Sequence, residues 1–324
     1  MKVIIADLFS TSSIADLEAS GWEVVFDKDL KEDSLLEAMT SHAPEVLVVR
    51  STKVPAAIID SDPNLKLVIR AGAGFNNIDY NHAATKGIKV ANCPGKNATA
   101  VAELCIGLMI SVDRQLHNNF SLLKQGTWAK GSFAKCKGLK GRTLGVIGLG
   151  NISKKVATVA LAMGMNVMAV DPYAKPMDGV NLVEDQNQVL AESDIVSIHV
   201  PSLPSTNGMV NAEFLSKMKP DGVFINTARS ELVVEADILA HLEANEDFWY
   251  AADVFDGEPA GKTGTFESAL VQHERVIGTH HIGASTKQAE AEIGEECVRI
   301  LGVLKETNDI DDFNWVNKEG FSSQ

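Results

Sequence analysis

Three residue types suited to proton-coupled hydride chemistry stand at the ends of apolar runs in the second half of the chain. Arg229 follows Val223-Phe-Ile-Asn-Thr-Ala228, Glu258 follows Ala251-Ala-Asp253-Val-Phe-Asp-Gly257, and His281 follows Val276-Ile-Gly-Thr-His280. Oxidising an alcohol needs a base for the hydroxyl proton, and imidazole titrates near working pH. A neighbouring carboxylate raises the imidazole pKa and fixes its tautomer. A guanidinium holds a substrate carboxylate in bidentate geometry and polarises the developing carbonyl. Each residue alone has an ordinary surface explanation. Together they fall at successive strand ends, where open parallel sheets bind their ligands.

A hydride acceptor is suggested by Thr143-Leu-Gly-Val-Ile-Gly148-Leu-Gly150-Asn-Ile-Ser153. It reads as an apolar strand, a glycine turn and a helix start. Gly148 permits the tight turn, and Gly150 lets a pyrophosphate approach the backbone. The N–H groups from Asn151 onward then face the phosphates. Asp171 ends the next apolar run, at about the 20-residue offset expected of a dinucleotide fingerprint. Its carboxylate suits ribose hydroxyls and repels a 2′-phosphate, which favours NAD over NADP. Ser153 replaces the third glycine and adds bulk where helix and strand pack closely.

The elements that must position these groups alternate. In the first hundred residues the pattern predicts strands over 2–7, 23–26, 46–49, 65–69 and 88–91, with helices over 13–20, 33–41 and 80–86. Residues 97–125 read as one long helix with Val101, Leu104, Leu108 and Val112 on its apolar stripe. Further strands are predicted over 165–170, 195–199, 223–226, 250–254 and 276–278, and a helix over 286–305. Alternating βα units imply α/β architecture: two doubly wound parallel-sheet domains with helices on both faces.

The chain has 324 residues, 45% of them apolar and 22% charged, with a net charge of −14. That length allows two domains. The acidic balance, without a basic block, argues against a nucleic-acid partner. A locally positive pocket for an anionic substrate remains compatible with it. The four cysteines, Cys93, Cys105, Cys136 and Cys297, show no metal-ligand spacing. No metal is expected, and Cys105 and Cys297 read as small buried hydrophobes. The N-terminus reads as a strand with an early Asp rather than a signal peptide, and no run is long enough for a membrane span. A cytoplasmic protein is expected.

The ordered motifs resemble the D-isomer-specific 2-hydroxyacid dehydrogenase family along nearly the whole chain. Besides the fingerprint they are Val49-Arg50-Ser51-Thr52-Lys53-Val54, Arg70-Ala-Gly-Ala-Gly-Phe-Asn-Asn77-Ile-Asp79, Asn92-Cys-Pro-Gly-Lys-Asn97-Ala-Thr-Ala-Val-Ala-Glu103, His199-Val-Pro201, Asn226-Thr-Ala-Arg229, Asp253-Val-Phe-Asp-Gly-Glu258-Pro259 and His281-Ile-Gly-Ala-Ser-Thr-Lys287. The resemblance implies a Rossmann NAD-binding domain, 98–284, inserted in a flavodoxin-like substrate domain, 1–97 and 285–324, with the active site in the cleft between. It implies that Arg229 binds and polarises substrate, that Glu258 partners the imidazole, and that His281 is the acid/base. For NAD it implies Gly148, Gly150, Asn151 and Ile152 at the pyrophosphate, Asp171 at the ribose and Asp253 at the nicotinamide amide. Val200, Thr227, Ala228, Gly283 and Ala284 complete that lining.

Arg50, Ser51 and Gly72 are implied at the substrate carboxylate or phosphate. Arg70 joins Arg50 as a phosphate candidate, because both are expected to end neighbouring strands. Lys130, in an arm over 127–137, matches a basic position that reaches across a homodimer. The implied substrate is a phosphorylated 2-hydroxy acid, 3-phospho-D-glycerate, oxidised to 3-phosphohydroxypyruvate at the entry to serine synthesis. Reduction of glyoxylate, hydroxypyruvate or a related keto acid is the alternative, and an NAD-sensing binding protein is a second. Ser230, His280 and Asn76 depart from the family pattern, and one residue is missing between Ser51 and Thr52 relative to many members. The chain ends soon after 313–317, so no serine-binding module is expected.

Overall fold

Val46-Leu-Val-Val49 carries no polar side chain, and it forms the middle strand of a five-stranded sheet in which it is buried throughout. The computed structural model describes residues 1–259, 263–310 and 313–321. The strands of this sheet are β1 Lys2–Ile5, β2 Glu23–Phe26, β3 Val46–Val49, β4 Leu67–Arg70 and β5 Lys89–Asn92. They are parallel, in the order β2-β1-β3-β4-β5. The order reverses between β1 and β3, the position where such sheets open a crevice for ligands. Asp7 and Arg50 follow those two strands.

The helix Lys287–Thr307 belongs to the same compact unit, which comprises Met1–Asn97 and Ser285–Gln324. Its Ile293, Cys297, Ile300, Leu301 and Leu304 recur at helical spacing and enter one apolar cluster with Val3, Ile5, Val46 and Leu67. Burying each such aliphatic side chain contributes on the order of 1.5–3 kcal/mol, which ties this distant segment to the first sheet. Cys297 and Cys93 are fully buried in this cluster, with their sulfurs 3.6 Å apart.

The second unit, Ala98–Ala284, holds seven parallel strands. These are β6 Thr143–Ile147, β7 Asn166–Val170, β8 Val180–Val183, β9 Ile195–Ile198, β10 Val223–Asn226, β11 Trp249–Ala252 and β12 Val276–Gly278. Their order is β12-β11-β10-β9-β6-β7-β8. From β6 outward this is the doubly wound dinucleotide-binding order with one strand added, and its switch point lies between β6 and β9. Sequence patterning does not resolve β8, whose Val-Asn-Leu-Val is mostly half-buried and carries no strong alternation.

The single helix expected over 97–125 is two, Ala98–Asp113 and Leu116–Lys124. Gln115 takes a left-handed φ of +45° between them. The apolar stripe ends at Val112, and none of the residues in the second helix is buried. Asn119 Nδ2 donates to the carbonyls of Arg114 and Gln115 at the break, and the Gln115 carbonyl also accepts from Asn119 N as the second helix starts. Among the described residues, no helix is long and apolar enough to cross a membrane.

Candidate active site

The fingerprint turn is shaped for a close ligand. Gly148 lies at φ +88°, and its N–H donates to Val170 O at 2.9 Å, joining β6 to β7. A Cβ there would stand 3.0 Å from both His199 O and Val200 Cγ1. Gly150 caps the helix Asn151–Ala162 without a side-chain hydrogen bond, and the space its Cβ would occupy is open. The first N–H groups of that helix therefore keep their capacity for an anion. Ser153 is fully buried without disrupting the helix, and its hydroxyl lies 3.4 Å from Gly150 O. Asp171 Oδ2 accepts from Leu149 N at 2.7 Å and Oδ1 accepts from Tyr173 N at 2.8 Å. The carboxylate thus fastens the glycine turn to the end of β7. Gly148, Gly150, Asn151, Ile152 and Asp171 come together as a dinucleotide cradle, and these residues fit NAD.

The ends of β10, β11 and β12 assemble the acid/base group. Asn226, fully buried at the end of β10, brackets the next turn: its Oδ1 accepts from Ala228 N at 3.0 Å and its Nδ2 donates to Arg229 O at 2.9 Å. The guanidinium of Arg229 folds over the same turn, with Nη1 2.6 Å from Ala228 O. Glu258 reaches back with Oε1 on Phe255 N and Oε2 on His281 Nδ1, both at 2.7 Å. The side chain of His281 is 51% exposed and that of Glu258 31%.

The electrostatics of the pair agree from both sides. The hydrogen bond to Glu258 raises the His281 pKa, burial opposes it, the charges of Glu258 and Asp253 raise it further, and Arg229 opposes. For Glu258, burial pushes the pKa up. The bonds from His281 and Phe255 and the charges of His281 and Arg229 outweigh that and hold it low. Each partner thus favours the charged form of the other, and Nδ1 is the ring nitrogen that Glu258 engages. A second histidine, His199, follows β9. Its Nε2 lies 2.9 Å from Ser197 Oγ, and burial pushes its pKa down to about 4. A neutral imidazole so enclosed makes a poor acid/base.

Asp253 is held firmly at the end of β11. It is 2% exposed, and its carboxylate accepts three hydrogen bonds from the segment before and after His281. Oδ1 accepts from Thr279 Oγ1 at 2.5 Å and from Ile282 N at 2.8 Å, and Oδ2 accepts from Gly283 N at 2.7 Å. Gly283 comes so close that a Cβ would stand 2.9 Å from Asp253 Oδ2. Val200, Thr227 and Ala228 lie just beyond the ends of β9 and β10, and Ala284 follows Gly283.

In the first unit, a residue not singled out in the sequence organises the expected substrate loop. Asp7 Oδ2 accepts from the N–H groups of Arg50, Ser51 and Thr52 at 2.7, 3.0 and 3.0 Å, and Oδ1 accepts from Ser51 Oγ at 3.0 Å. Ser51, expected to face substrate, gives both donors to Asp7. Arg70 pairs with Val49 in the sheet, so the two arginines do end neighbouring strands. The Arg70 guanidinium lies against Gly72, where a Cβ would meet Nη1 at 1.7 Å. Only glycine accommodates that approach. Lys130 is exposed, on the short turn Lys130–Phe133 of the second unit.

A family model described as D-isomer specific 2-hydroxyacid dehydrogenase, NAD binding domain, matches residues 106–283. The chain belongs to the D-isomer-specific 2-hydroxyacid dehydrogenase family. As a member of it, the chain is an NAD-dependent D-2-hydroxyacid dehydrogenase. It is 41% identical to the hydroxypyruvate reductase of Thermotoga maritima over 275 residues, 85% of this chain and 88% of that one. It is 36% identical to the D-3-phosphoglycerate dehydrogenase of Archaeoglobus fulgidus over 299 residues, 91% of this chain and 55% of that one. The chain therefore spans about half the length of this relative and of the D-3-phosphoglycerate dehydrogenase of Methanocaldococcus jannaschii. The crystal structure of NAD+-bound 3-phosphoglycerate dehydrogenase from Entamoeba histolytica aligns with a TM-score of 0.81 at 28% identity, covering 97% of this chain and 98% of that one.

Proposed function

We propose that this dehydrogenase interconverts 3-phospho-D-glycerate and 3-phosphohydroxypyruvate, the entry to serine synthesis. The acid/base assignment is carried by the 2.7 Å contact between His281 Nδ1 and Glu258 Oε2. That contact fixes the tautomer and leaves Nε2 to take the hydroxyl proton in oxidation and return it in reduction. Arg229 holds the substrate carboxylate and polarises the carbonyl as it forms. Bound NAD supplies the hydride acceptor. The cradle of Gly148, Gly150, Asn151 and Ile152 receives its pyrophosphate, and Asp171 its adenosine ribose.

The phosphate reading rests on Arg50 and Arg70, two cations at neighbouring strand ends of an acidic protein. Lys130 is the third candidate, supplied by the partner of a homodimer. The dimer is favoured by the helix Leu116–Lys124, which buries none of its residues, and by Trp128, which is 80% exposed. A second reading, hydroxypyruvate reduction, is favoured by the Thermotoga relative, which this chain covers almost fully. A substrate panel separates the two. Preference for phosphoglycerate over glycerate supports the first, and the reverse assigns the chain to the second. NAD binding without turnover on any 2-hydroxy acid would make it an NAD-sensing protein.

A further inference from the structure

We propose that Glu235 is a positioning residue for Glu258: from the first turn of its helix it holds the backbone of Asp256, and so keeps the Glu258 carboxylate on His281. The connections that carry Arg229 and Glu258 leave adjacent strands, since β10 and β11 pair in parallel. A little beyond Arg229, Glu235 opens the helix Glu235–Ala244. Its Oε1 accepts from Asp256 N at 2.8 Å, across to the other connection. Asp256 Oδ1 accepts from Gly257 N at 2.9 Å, and Gly257 turns the chain at a φ of +72°. Glu258 follows and folds back onto Phe255 N. That last bond lies within the segment and moves with it. The bond to Glu235 ties the segment to a fixed element, because Ile238 and Leu242 seat that helix in the core.

The electrostatics argue that this placement serves geometry rather than stability. Burial raises the Glu235 pKa, the Asp256 N–H opposes that, and the charges of Asp256 and Glu258 raise it further. Among the described residues Glu235 forms no ion pair. A half-buried carboxylate beside two others, without a cation, costs stability, and such perturbed groups gather where a site needs them.

This inference rests on the reading of Glu258 and His281 as the acid/base pair, and the test separates the two. The charged groups facing Glu258 are His281, Arg229 and Glu235, and those facing the imidazole are Glu258, Asp253 and Arg229. Glu235→Ala leaves the Asp256 N–H without its acceptor and frees the segment. Its kcat should fall about 3–10-fold, the factor that one hydrogen bond of ordinary worth supplies, while the NAD affinity of the binary complex stays at the parent value. The His281 pKa should fall toward the ordinary imidazole value, because the hydrogen bond from Glu258 that raises it is formed less often. The oxidation limb of the kcat/KM profile should move to lower pH with it. Glu235→Gln keeps an acceptor for the Asp256 N–H and should recover most of both losses. Glu235→Asp is shorter by a methylene and should not, so it is the second loss variant if Glu235→Ala folds poorly. In a Glu258→Ala background Glu235→Ala should cost nothing further, since both changes act through one group.

The imidazole C2 proton of His281, assigned by its loss in His281→Ala, reports this pKa without any turnover. A lower pKa in Glu235→Ala that Glu235→Gln restores supports the proposal. An unchanged His281 titration, or a loss of kcat that adds in full to that of Glu258→Ala, would overturn it and leave Glu235 a helix-start residue. Parent-level turnover in His281→Ala would sink the acid/base reading alone, while the titration still decides the role of Glu235.

Discussion

His281 Nδ1 and Glu258 Oε2, 2.7 Å apart at the ends of two strand connections, set the proton inventory of the site. Their mutual effect raises the imidazole pKa and lowers that of the carboxyl. Oxidation needs the neutral imidazole, so its rate should climb as pH rises through the raised His281 value. Reduction needs the imidazolium and should decline over the same range. In Glu258→Gln both transitions should move to lower pH, and kcat should fall because the ring loses its anchor. Paired pH–rate profiles in the two directions check this; profiles that do not move would remove Glu258 from the pair. The linked stability has the same sign. The His281 side contributes fully below the ordinary imidazole value of 6.5 and is lost as pH rises through the raised one, while the Glu258 side is lost as pH falls through the lowered carboxyl value. It is small, since His281 is half exposed.

His281→Ala should lower turnover by about 10²–10⁴, the usual worth of a positioned acid/base, with NAD affinity unaffected. His199 cannot substitute, because it stays neutral in its enclosed position. Steady-state rates and NAD titration of the variant are the measurement. Near-parent turnover would shift suspicion to His280.

Asp171 should enforce NAD over NADP, because in the role proposed for it at the adenosine ribose its carboxylate would repel a 2′-phosphate. Asp171→Ala should narrow the ratio of kcat/KM values for the two cofactors. It should also lower stability, since Leu149 N and Tyr173 N lose their acceptor. Equal use of both cofactors by the parent would contradict the assignment.

The loop after β3 should depend on Asp7 more than on any of its own side chains. Asp7→Ala strands three N–H groups that are only partly exposed, at a cost of about 1–3 kcal/mol in stability. It should raise KM for the hydroxy acid while leaving NAD affinity alone. Denaturant unfolding and steady-state kinetics of the same variant read both effects. An unchanged KM would detach this loop from substrate.

What was legible in the sequence follows from what each signal depends on. Val46–Val49 and Val223–Asn226 are short, wholly buried strands, so apolar runs located them to the residue. Arg229, Glu258 and His281 were legible because parallel sheets place their chemistry at strand ends. Asp7 and Asp253 work differently. Their side chains act on backbone N–H groups contributed by other connections, as between Asp7 and Arg50–Thr52, and no spacing along one chain reveals such a bond. Asp7 was visible only as an early acid after a strand. The break at Gln115 was hidden because no Gly or Pro stands there, the glycine of that stretch, Gly107, lying inside the first helix, and the end of the buried stripe at Val112 was the available sign.

Lys130→Ala should raise KM for phosphoglycerate more than for glycerate, and more strongly at low salt, if its ammonium meets the phosphate. The comparison of the two substrates at two ionic strengths is decisive. Equal effects on both would leave Lys130 a solvated surface lysine.

The central claim, NAD-dependent oxidation of 3-phospho-D-glycerate with His281 as the base, is tested most directly by NADH formation from that substrate with the keto product trapped, in the parent and His281→Ala side by side. The account predicts sustained NADH release by the parent, faster than with D-glycerate, and its near-complete loss in the variant. Equal rates in the two proteins, or turnover by the parent of glycerate but not of phosphoglycerate, would contradict it.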